Sequence, residues 1–223
     1  MKTMVINRKN YPASFKQCKK LGQLISWAES VGEKDNLYIV KMYLNNQLMD
    51  EEEENLLDSL SINEIEELKI EMSPIEEIMG KTMSTIIGAI QDTQLKIVKF
   101  SSEFRQNNKL DDEKVKFILI QCRSVIDSLE EIFKAHVSQK LTLKHHSLWV
   151  EAEKELTNIL QCILQSRTMT DVSFVTDLLE YDLVHALSQW DEVLEKEIMD
   201  NPYISHIFSL NSSGQNSDNG ANA

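Results

Sequence analysis

The spacing of apolar residues changes at Ser73, and this change constrains the fold more than any other feature of the chain. Before Ser73, apolar residues occur in short runs that alternate with polar ones or are rich in β-branched and aromatic side chains, which is typical of strands. After Ser73, they recur every three or four residues over long stretches, which is the period of an amphipathic helix. The sequence therefore predicts two structural units of different class.

The first unit is predicted to hold four strands and one main helix. Residues 14–31 place apolar side chains three and four positions apart, which gives a helix one apolar face. Gly32 follows this helix and is placed to end it. Alternating or β-branched runs predict the strands at residues 2–8, 37–44, 47–49 and 67–72.

The segment VKMYLNNQLMDEEEENLLDSLSINEIEELKIEM, residues 40–72, gives a strand, a tight polar turn, a short strand, a loop with a helical turn and a closing strand. In this order of elements, the first third of the chain resembles ubiquitin-like β-grasp domains, and the resemblance implies such a domain over residues 1–72. The usual first hairpin of that family needs a second strand before the helix, and Pro12 makes this strand short or absent. Met72 leads to no diglycine terminus, so conjugation is not implied.

Five acids in succession, residues 50–54, follow the second predicted hairpin strand. A calcium loop needs alternating oxygen ligands and a glycine for its sharp bend, and DEEEEN has neither. We interpret the run as a solvated loop in which Asp50 caps a short helix. Weak cation binding, or binding of a basic partner, is the alternative.

After Ser73 the helical period predicts four amphipathic helices, the last beginning at a Thr170 or Asp171 cap. The S-P-I-E sequence at Ser73 is a capping box with proline at the first helical position, in which Glu76 reaches back to the cap. Four such helices with short connections pack most simply as an antiparallel four-helix bundle, here over residues 73–202. Residues 203–223 are predicted to be a disordered tail, because almost nothing after Asn211 is apolar. The predicted fold class is therefore α+β, a β-grasp-like domain followed by an all-α bundle.

Charge and cysteine content limit the partners and the compartment. The formal charge of −13 repels phosphate, so we expect no nucleic acid and no anionic membrane as partner. The start of the chain lacks the apolar segment of a signal peptide, and no stretch is long and apolar enough for a membrane span. Three cysteines far apart, with no CxxC pair, are expected to be reduced, apolar core residues of a cytoplasmic protein: Cys18, Cys122 and Cys162.

Familiar catalytic signatures are missing from the sequence, which contains no G-x-S-x-G, no glycine-rich phosphate loop and no H-E-x-x-H. We therefore expect no catalytic residue, no cofactor and no metal. Glu180, Asp182 and His185 nevertheless cluster on the fourth predicted helix, and buried charged groups are costly unless they are paired. Hydrogen bonds between helices are the favoured explanation. A metal-binding or catalytic bundle centred on these three residues is the alternative, and it needs ligands from other helices.

Small residues recur every four positions on the first bundle helix, at Gly80, Ser84 and Gly88. Such a stripe permits close approach of another helix, either a bundle neighbour or the helix of a partner. Apolar residues that are left over after internal packing complete the candidate partner surface. Its predicted members are Gly80, Ser84, Ile87, Gly88, Leu95, Val98, Leu179 and Leu183. The expected function is that of a non-enzymatic protein-interaction factor of adaptor, chaperone-like or regulatory type, with a structural homodimer as a further alternative.

Overall fold

A computed structural model describes residues 1–49, 60–138, 143–166 and 171–201. The chain divides into two compact units, Met1–Ile78 and Met79–Ala223, and each is described by itself. The first unit holds an antiparallel sheet, and the second is helical in its described part. The change of apolar period near Ser73 therefore predicts the class of both units correctly.

The first unit contains all four predicted strands. They form one sheet in the order β1-β4-β2-β3, and every neighbouring pair is antiparallel. The elements are β1 (Lys2–Asn7), α1 (Pro12–Gln17), α2 (Leu21–Glu33), β2 (Leu37–Leu44), β3 (Gln47–Leu48), a 3-10 turn (Ile62–Glu64) and β4 (Glu67–Pro74).

The β2–β3 hairpin closes through two asparagines. Asn45 and Asn46 have φ angles of 48° and 69°, and a two-residue loop with both residues left-handed is a type I′ turn. The Asn45 Oδ1 atom accepts hydrogen bonds from the backbone N–H groups of Glu66 and Glu67, at 2.9 and 3.1 Å. This side chain therefore ties the turn to the start of β4.

Apolar side chains of α2 pack against one face of the sheet, where Leu21 and Leu24 join Ile70 in a buried cluster. Gly32 does not end α2, which continues to Glu33, so the predicted role of this glycine is wrong. A Cβ atom at Gly32 would lie 2.8 Å from the carbonyl oxygen of Leu37. Glycine is needed here because helix and strand backbones approach closely.

Residues 8–36 are all described, and they contain α1 and α2 but no strand of the sheet. Pro12 lies in the first turn of α1, where proline is tolerated. The segment that would form the second strand of a ubiquitin-like domain is therefore a short helix. The structure supports an antiparallel sheet with this order of elements, and it lacks the first hairpin of that family.

A long helix begins directly after β4, and the second unit starts about one turn into it, at Met79. The elements are α3 (Ile75–Asn107), α4 (Asp112–Ser138), α5 (His146–Ser166), α6 (Val172–Asp177), a π-type segment (Leu178–Leu183) and α7 (Val184–Asp200). The last three elements follow one another without a break. Asp171 is the N-cap of α6, since its carboxylate accepts from the Phe174 N–H at 3.0 Å, as the sequence predicts.

The capping box predicted at Ser73 does not form. Ser73 pairs with Tyr38 in the sheet, and its buried hydroxyl has no hydrogen-bond partner among the described residues. Pairing with β2 holds Ser73 in an extended conformation, so the strand runs through it and the helix starts only at Ile75. The opposite end of α3 closes at Asn108, with a φ of 45° and a hydrogen bond from the Lys109 N–H to the Phe104 carbonyl, a Schellman-type cap.

Apolar faces predicted for the helices are buried, as Ile90, Ile97 and Phe104 of α3 illustrate. Cys18 and Cys122 are buried as expected, but Cys162 of α5 is exposed, because the buried face of that helix runs through the neighbouring Ile163. Within the described ranges, no helix is long and apolar enough to cross a membrane. The acidic run at residues 50–54 and the predicted tail at residues 203–223 lie outside the described residues.

Candidate functional site

The predicted polar site is divided between two sides of the π-type segment. Glu180 points towards α3, where its carboxylate accepts from Nε and Nη2 of Arg105 at 3.0 and 2.8 Å. Arg105 also donates from Nη2 to the carboxylate of Asp177 at 2.7 Å. Glu180 is therefore satisfied by an ion pair with another helix, as the favoured explanation from the sequence expects.

Asp182 and His185 lie on the other side, in a shallow groove that they share with α5. The His185 Nε2 atom is 4.0 Å from a carboxylate oxygen of Glu155, and the His185 side chain is 67% exposed. Across the described part of the chain, no group of three His, Cys, Asp or Glu side chains is placed to hold a metal ion. The structure thus brings Asp182 and His185 together but separates them from Glu180.

Two predicted members of the partner surface are core residues. Leu179 and Leu183 of the π-type segment are fully buried, so their assignment to an exposed surface is wrong. They continue a buried stripe that runs from Val175 to Leu187. Both leucines therefore stabilise the interior of the second unit.

The small-residue stripe of α3 passes from a buried to an open position. Gly80 is buried, and Ser84 is half-buried and donates its hydroxyl hydrogen to the Gly80 carbonyl at 2.9 Å. Gly88 is exposed, and a Cβ atom there would meet no heavy atom of the described structure within 4 Å. Among the described helices, none therefore uses the space that Gly88 provides.

Leu95 and Val98 extend this open surface along α3. Leu95 is 72% exposed and Val98 is 48% exposed, whereas Ile87 is half-buried. Gly88 and Leu95 are seven residues apart, which places them on the same face after two helical turns. We call Gly88, Leu95 and Val98 the α3 stripe.

A second feature, which the sequence did not indicate, is a partly enclosed cavity between α4 and α5. Its volume is about 270 Å³. Apolar side chains form most of its wall, and we call them the aromatic groove: Ile126, Leu129, Phe133, Trp149, Leu156 and Trp190. Sequence periodicity assigns these residues to buried helix faces but does not reveal that the space between them is unfilled.

Aromatic rings line up from the surface to the floor of this groove. His146 stacks on Phe133, with ring centroids 6.0 Å apart, and Phe133 lies 6.5 Å from Trp149. Trp149 meets Trp190 edge to face, at 4.8 Å and 88°, the perpendicular geometry that aromatic pairs favour. The floor of the groove is therefore formed by two indole rings in edge-to-face contact.

A buried carboxylate fixes the start of α5 beside the groove. Glu197 of α7 is 5% exposed and accepts hydrogen bonds from the backbone N–H groups of Lys144 and His145, at 3.2 and 2.6 Å. It satisfies donors that a helix N-terminus leaves unpaired.

The nearby His136 of α4 is also buried, with Nδ1 3.0 Å from the Ile132 carbonyl oxygen. Burial lowers the pKa of His136, despite the opposing effects of that carbonyl and of Glu197.

The described residues define an α+β chain, in which an N-terminal antiparallel sheet is followed by a helical region. A scan against models of protein families, a search of curated proteins and a search of solved structures found no match. The functional assignment therefore depends on the surfaces of the chain itself.

Proposed function

We propose that this chain is a non-enzymatic protein-interaction factor that binds an apolar helix of a protein partner along α3. The observation that carries the proposal is the α3 stripe, in which Leu95 is 72% exposed beside the open position of Gly88. An exposed apolar strip with space for close approach suits a helix that lies alongside α3.

Energetic considerations agree with this assignment. Glycine inside a helix costs about 1 kcal/mol relative to alanine, and nothing among the described residues recovers that cost at Gly88. Full burial of a leucine or valine side chain contributes up to about 1.5–3 kcal/mol. A partner helix would therefore gain from Leu95 and Val98 and would use the space at Gly88.

We infer that the helices beneath this surface form an antiparallel four-helix bundle, with α6, the π-type segment and α7 acting as its fourth helix. Side-chain contacts join the helices in a ring, from α3 to α4, α5, α7 and back to α3. The contacts are Phe100 with Phe117, Phe133 with Trp149, Trp149 with Trp190, and Gln94 with Ser188. Such a bundle would hold the α3 stripe on a rigid support.

Two alternatives make different demands. A structural homodimer would pack the α3 stripe, or an edge strand of the sheet, against a second copy. A metal-binding or catalytic bundle centred on Glu180, Asp182 and His185 would need these three residues to converge. The Arg105–Glu180 ion pair and the position of His185 beside α5 give that alternative no support.

Copurification with a matched pair of charge substitutions tests the proposal. Leu95→Asp places a charge in the α3 stripe, and Ile120→Asp places one at a 54% exposed position on α4. We expect a stoichiometric partner to copurify from host lysate with the wild type and with Ile120→Asp but not with Leu95→Asp. A partner retained by all three proteins would contradict the proposal. A dimer, measured by light scattering, that Leu95→Asp abolishes and Ile120→Asp preserves would assign the stripe to a second copy.

A further inference from the structure

β1 is one of the two edge strands of the sheet, and it is the more regular edge. Among the described residues it pairs with β4 alone, in a register that runs from Lys2 to Asn7 without a shift. At the opposite edge, β3 has two residues, and β2 has a register shift between Ile39 and Lys41. Very short strands and bulges discourage further pairing at an edge, and β1 shows neither feature.

The outer side of β1 presents backbone groups that another strand can bind. In an antiparallel pair, alternate residues bond to the neighbouring strand, and the residues between them direct their N–H and C=O groups to the other side. About half of β1 therefore offers donors and acceptors at the outer edge. Thr3 is exposed and Val5 is half-buried, so the edge can be approached from solvent. Such an edge is a template for strand addition.

The segment after β1 is held as a helix and supplies no strand for this edge. Tyr11 donates its backbone N–H to the Asn7 carbonyl at 2.9 Å, and its ring meets that of Trp27 of α2 edge to face, with centroids 5.5 Å apart. Ser14 of α1 is buried. These contacts fix the segment beside α2, so it does not take the place of a second hairpin strand next to β1.

Basic side chains stand at both ends of β1. The chain has a formal charge of −13, yet its first twenty residues include six Lys or Arg and no Asp or Glu. Lys2 begins β1, and Arg8 and Lys9 follow its last residue; all three are exposed. From Lys2 to Arg8 is about 20 Å, at about 3.3 Å per residue.

Nearby acids leave the outer edge accessible to other carboxylates. Asp35 pairs with Lys2 at 2.6 Å, but both side chains are more than half exposed, and exposed ion pairs contribute little. Two glutamates near the start of β4 line a shallow depression together with Arg8. β4 lies on the other side of β1 from its outer edge, so these glutamates do not occupy that edge.

The charges select the occupant of this edge. Antiparallel pairing of two β1 strands would place Lys2 of one copy near Arg8 of the other, and like charges opposite each other destabilise a sheet. A strand with carboxylates near both of its ends would instead face opposite charges at both ends. β-Branched residues between the carboxylates suit a pleated, half-buried position beside Met4 and Ile6, which are buried.

We propose that the outer edge of β1 binds an extended acidic segment of a partner protein as an added antiparallel strand. Backbone hydrogen bonds hold the segment along residues 2–7. Its carboxylates meet Lys2 at one end, and Arg8 and Lys9 at the other. The site lies in the first unit and is independent of the α3 stripe.

NMR titration of the full chain with a synthetic peptide tests the site. The probe is acetyl-EETVTVTEE-amide, and the control is acetyl-KKTVTVTKK-amide, which has the same strand-forming centre. We expect the acidic peptide to shift the backbone amide signals of residues 2–7 and to slow hydrogen exchange at alternate residues of β1, although the chain itself is acidic. No shift at millimolar peptide, or equal shifts with the basic peptide, would overturn the proposal.

Charge variants separate local recognition from the overall charge. Arg8→Glu/Lys9→Glu and Lys34→Glu/Lys41→Glu change the net charge equally, and the second pair is exposed elsewhere in the first unit. We expect the first variant to bind the acidic peptide several-fold more weakly than the wild type, and the second to bind it like the wild type. Circular dichroism checks that both variants fold. Equal weakening in the two variants would contradict the proposal.

Hydrogen exchange of β1 without peptide tests the other occupants of the edge. We expect fast exchange at the outward amides of β1 in the isolated chain. Slow exchange in the monomer would mean that the chain itself covers the edge, and slow exchange confined to a dimer would assign the edge to a second copy. Either result would overturn the proposal.

Discussion

Arg105 of α3 donates two hydrogen bonds to Glu180 of the π-type segment, from Nε at 3.0 Å and from Nη2 at 2.8 Å. The same guanidinium binds Asp177 and lies 5.9 Å from the ring centroid of Tyr181. One side chain of α3 thus holds three residues around the point where α6 passes into a π-type turn. Such turns are uncommon inside helices.

Arg105→Ala should loosen the helical stretch that Arg105 holds. Hydrogen exchange at residues 177–183 should become faster, because Asp177 and Glu180 lose their shared cation. Arg123→Ala is the matched control, since Arg123 is 82% exposed and pairs with Asp127 of its own helix. Mass spectrometry of exchanged peptides measures the effect, and equal exchange in both variants would contradict the assigned role.

Replacement of a buried leucine and of an exposed leucine in the second unit should change the free energy of unfolding by different amounts. Leu183→Ala removes a fully buried side chain and should lower the free energy of unfolding by about 2–5 kcal/mol. Leu95→Ala changes an exposed position and should alter it by no more than about 0.5 kcal/mol. Urea unfolding of both variants measures the difference. Similar changes in the free energy of unfolding would contradict either the burial of Leu183 or the exposure of Leu95.

The substitution Ser73→Ala tests whether Ser73 acts as a strand residue of β4 or as the N-cap of α3. The Ser73 hydroxyl is buried without a hydrogen-bond partner among the described residues, so its removal should leave stability unchanged or raise it, by up to about 2 kcal/mol. Asp171→Ala removes a real cap and should cost about 1 kcal/mol. Thermal or urea unfolding of the two variants provides the comparison. If Ser73→Ala lowered the free energy of unfolding as much as Asp171→Ala does, the capping box predicted at Ser73 would be supported after all.

Stability should decrease on mild acidification because of His136. Burial lowers its pKa from the ordinary value of 6.5, so below that pH the unfolded chain binds a proton that the folded chain resists. Proton uptake by the unfolded state lowers the free energy of unfolding as the pH falls. His136→Met should flatten the dependence that sets in as the pH falls below about 6.5, and an unchanged slope would contradict the burial of this imidazole.

Much of the fold follows from where apolar residues recur. The strands are predictable because one face of the sheet is buried, which forces the alternation seen at Leu68 and Ile70. The long helices are predictable because Ile90, Ile97 and Phe104 must share one face. In both cases burial imposes the period that the sequence carries.

Local signals failed where tertiary contacts compete with them. Ser73 and Pro74 have a strong helix-start sequence, but their pairing with β2 keeps them in the sheet. Leu179 and Leu183 were predicted to be left over after internal packing, but both are buried, because a π-type turn changes which positions face inward. The separation of Glu180 from Asp182 was foreseeable, since residues two apart do not share a helix face. The aromatic groove was not foreseeable, because the space left between side chains depends on how three helices, α4, α5 and α7, pack together.

Hydroxyl-radical footprinting of Leu95, in the isolated chain and in the complex purified from its host, is the most direct measurement of partner binding along α3. If α3 binds a partner helix, oxidation of Leu95 should fall several-fold in the complex while oxidation of Ile120 stays the same. Unchanged oxidation of Leu95 in a stable complex, or protection confined to other helices, would contradict the assignment of the α3 stripe.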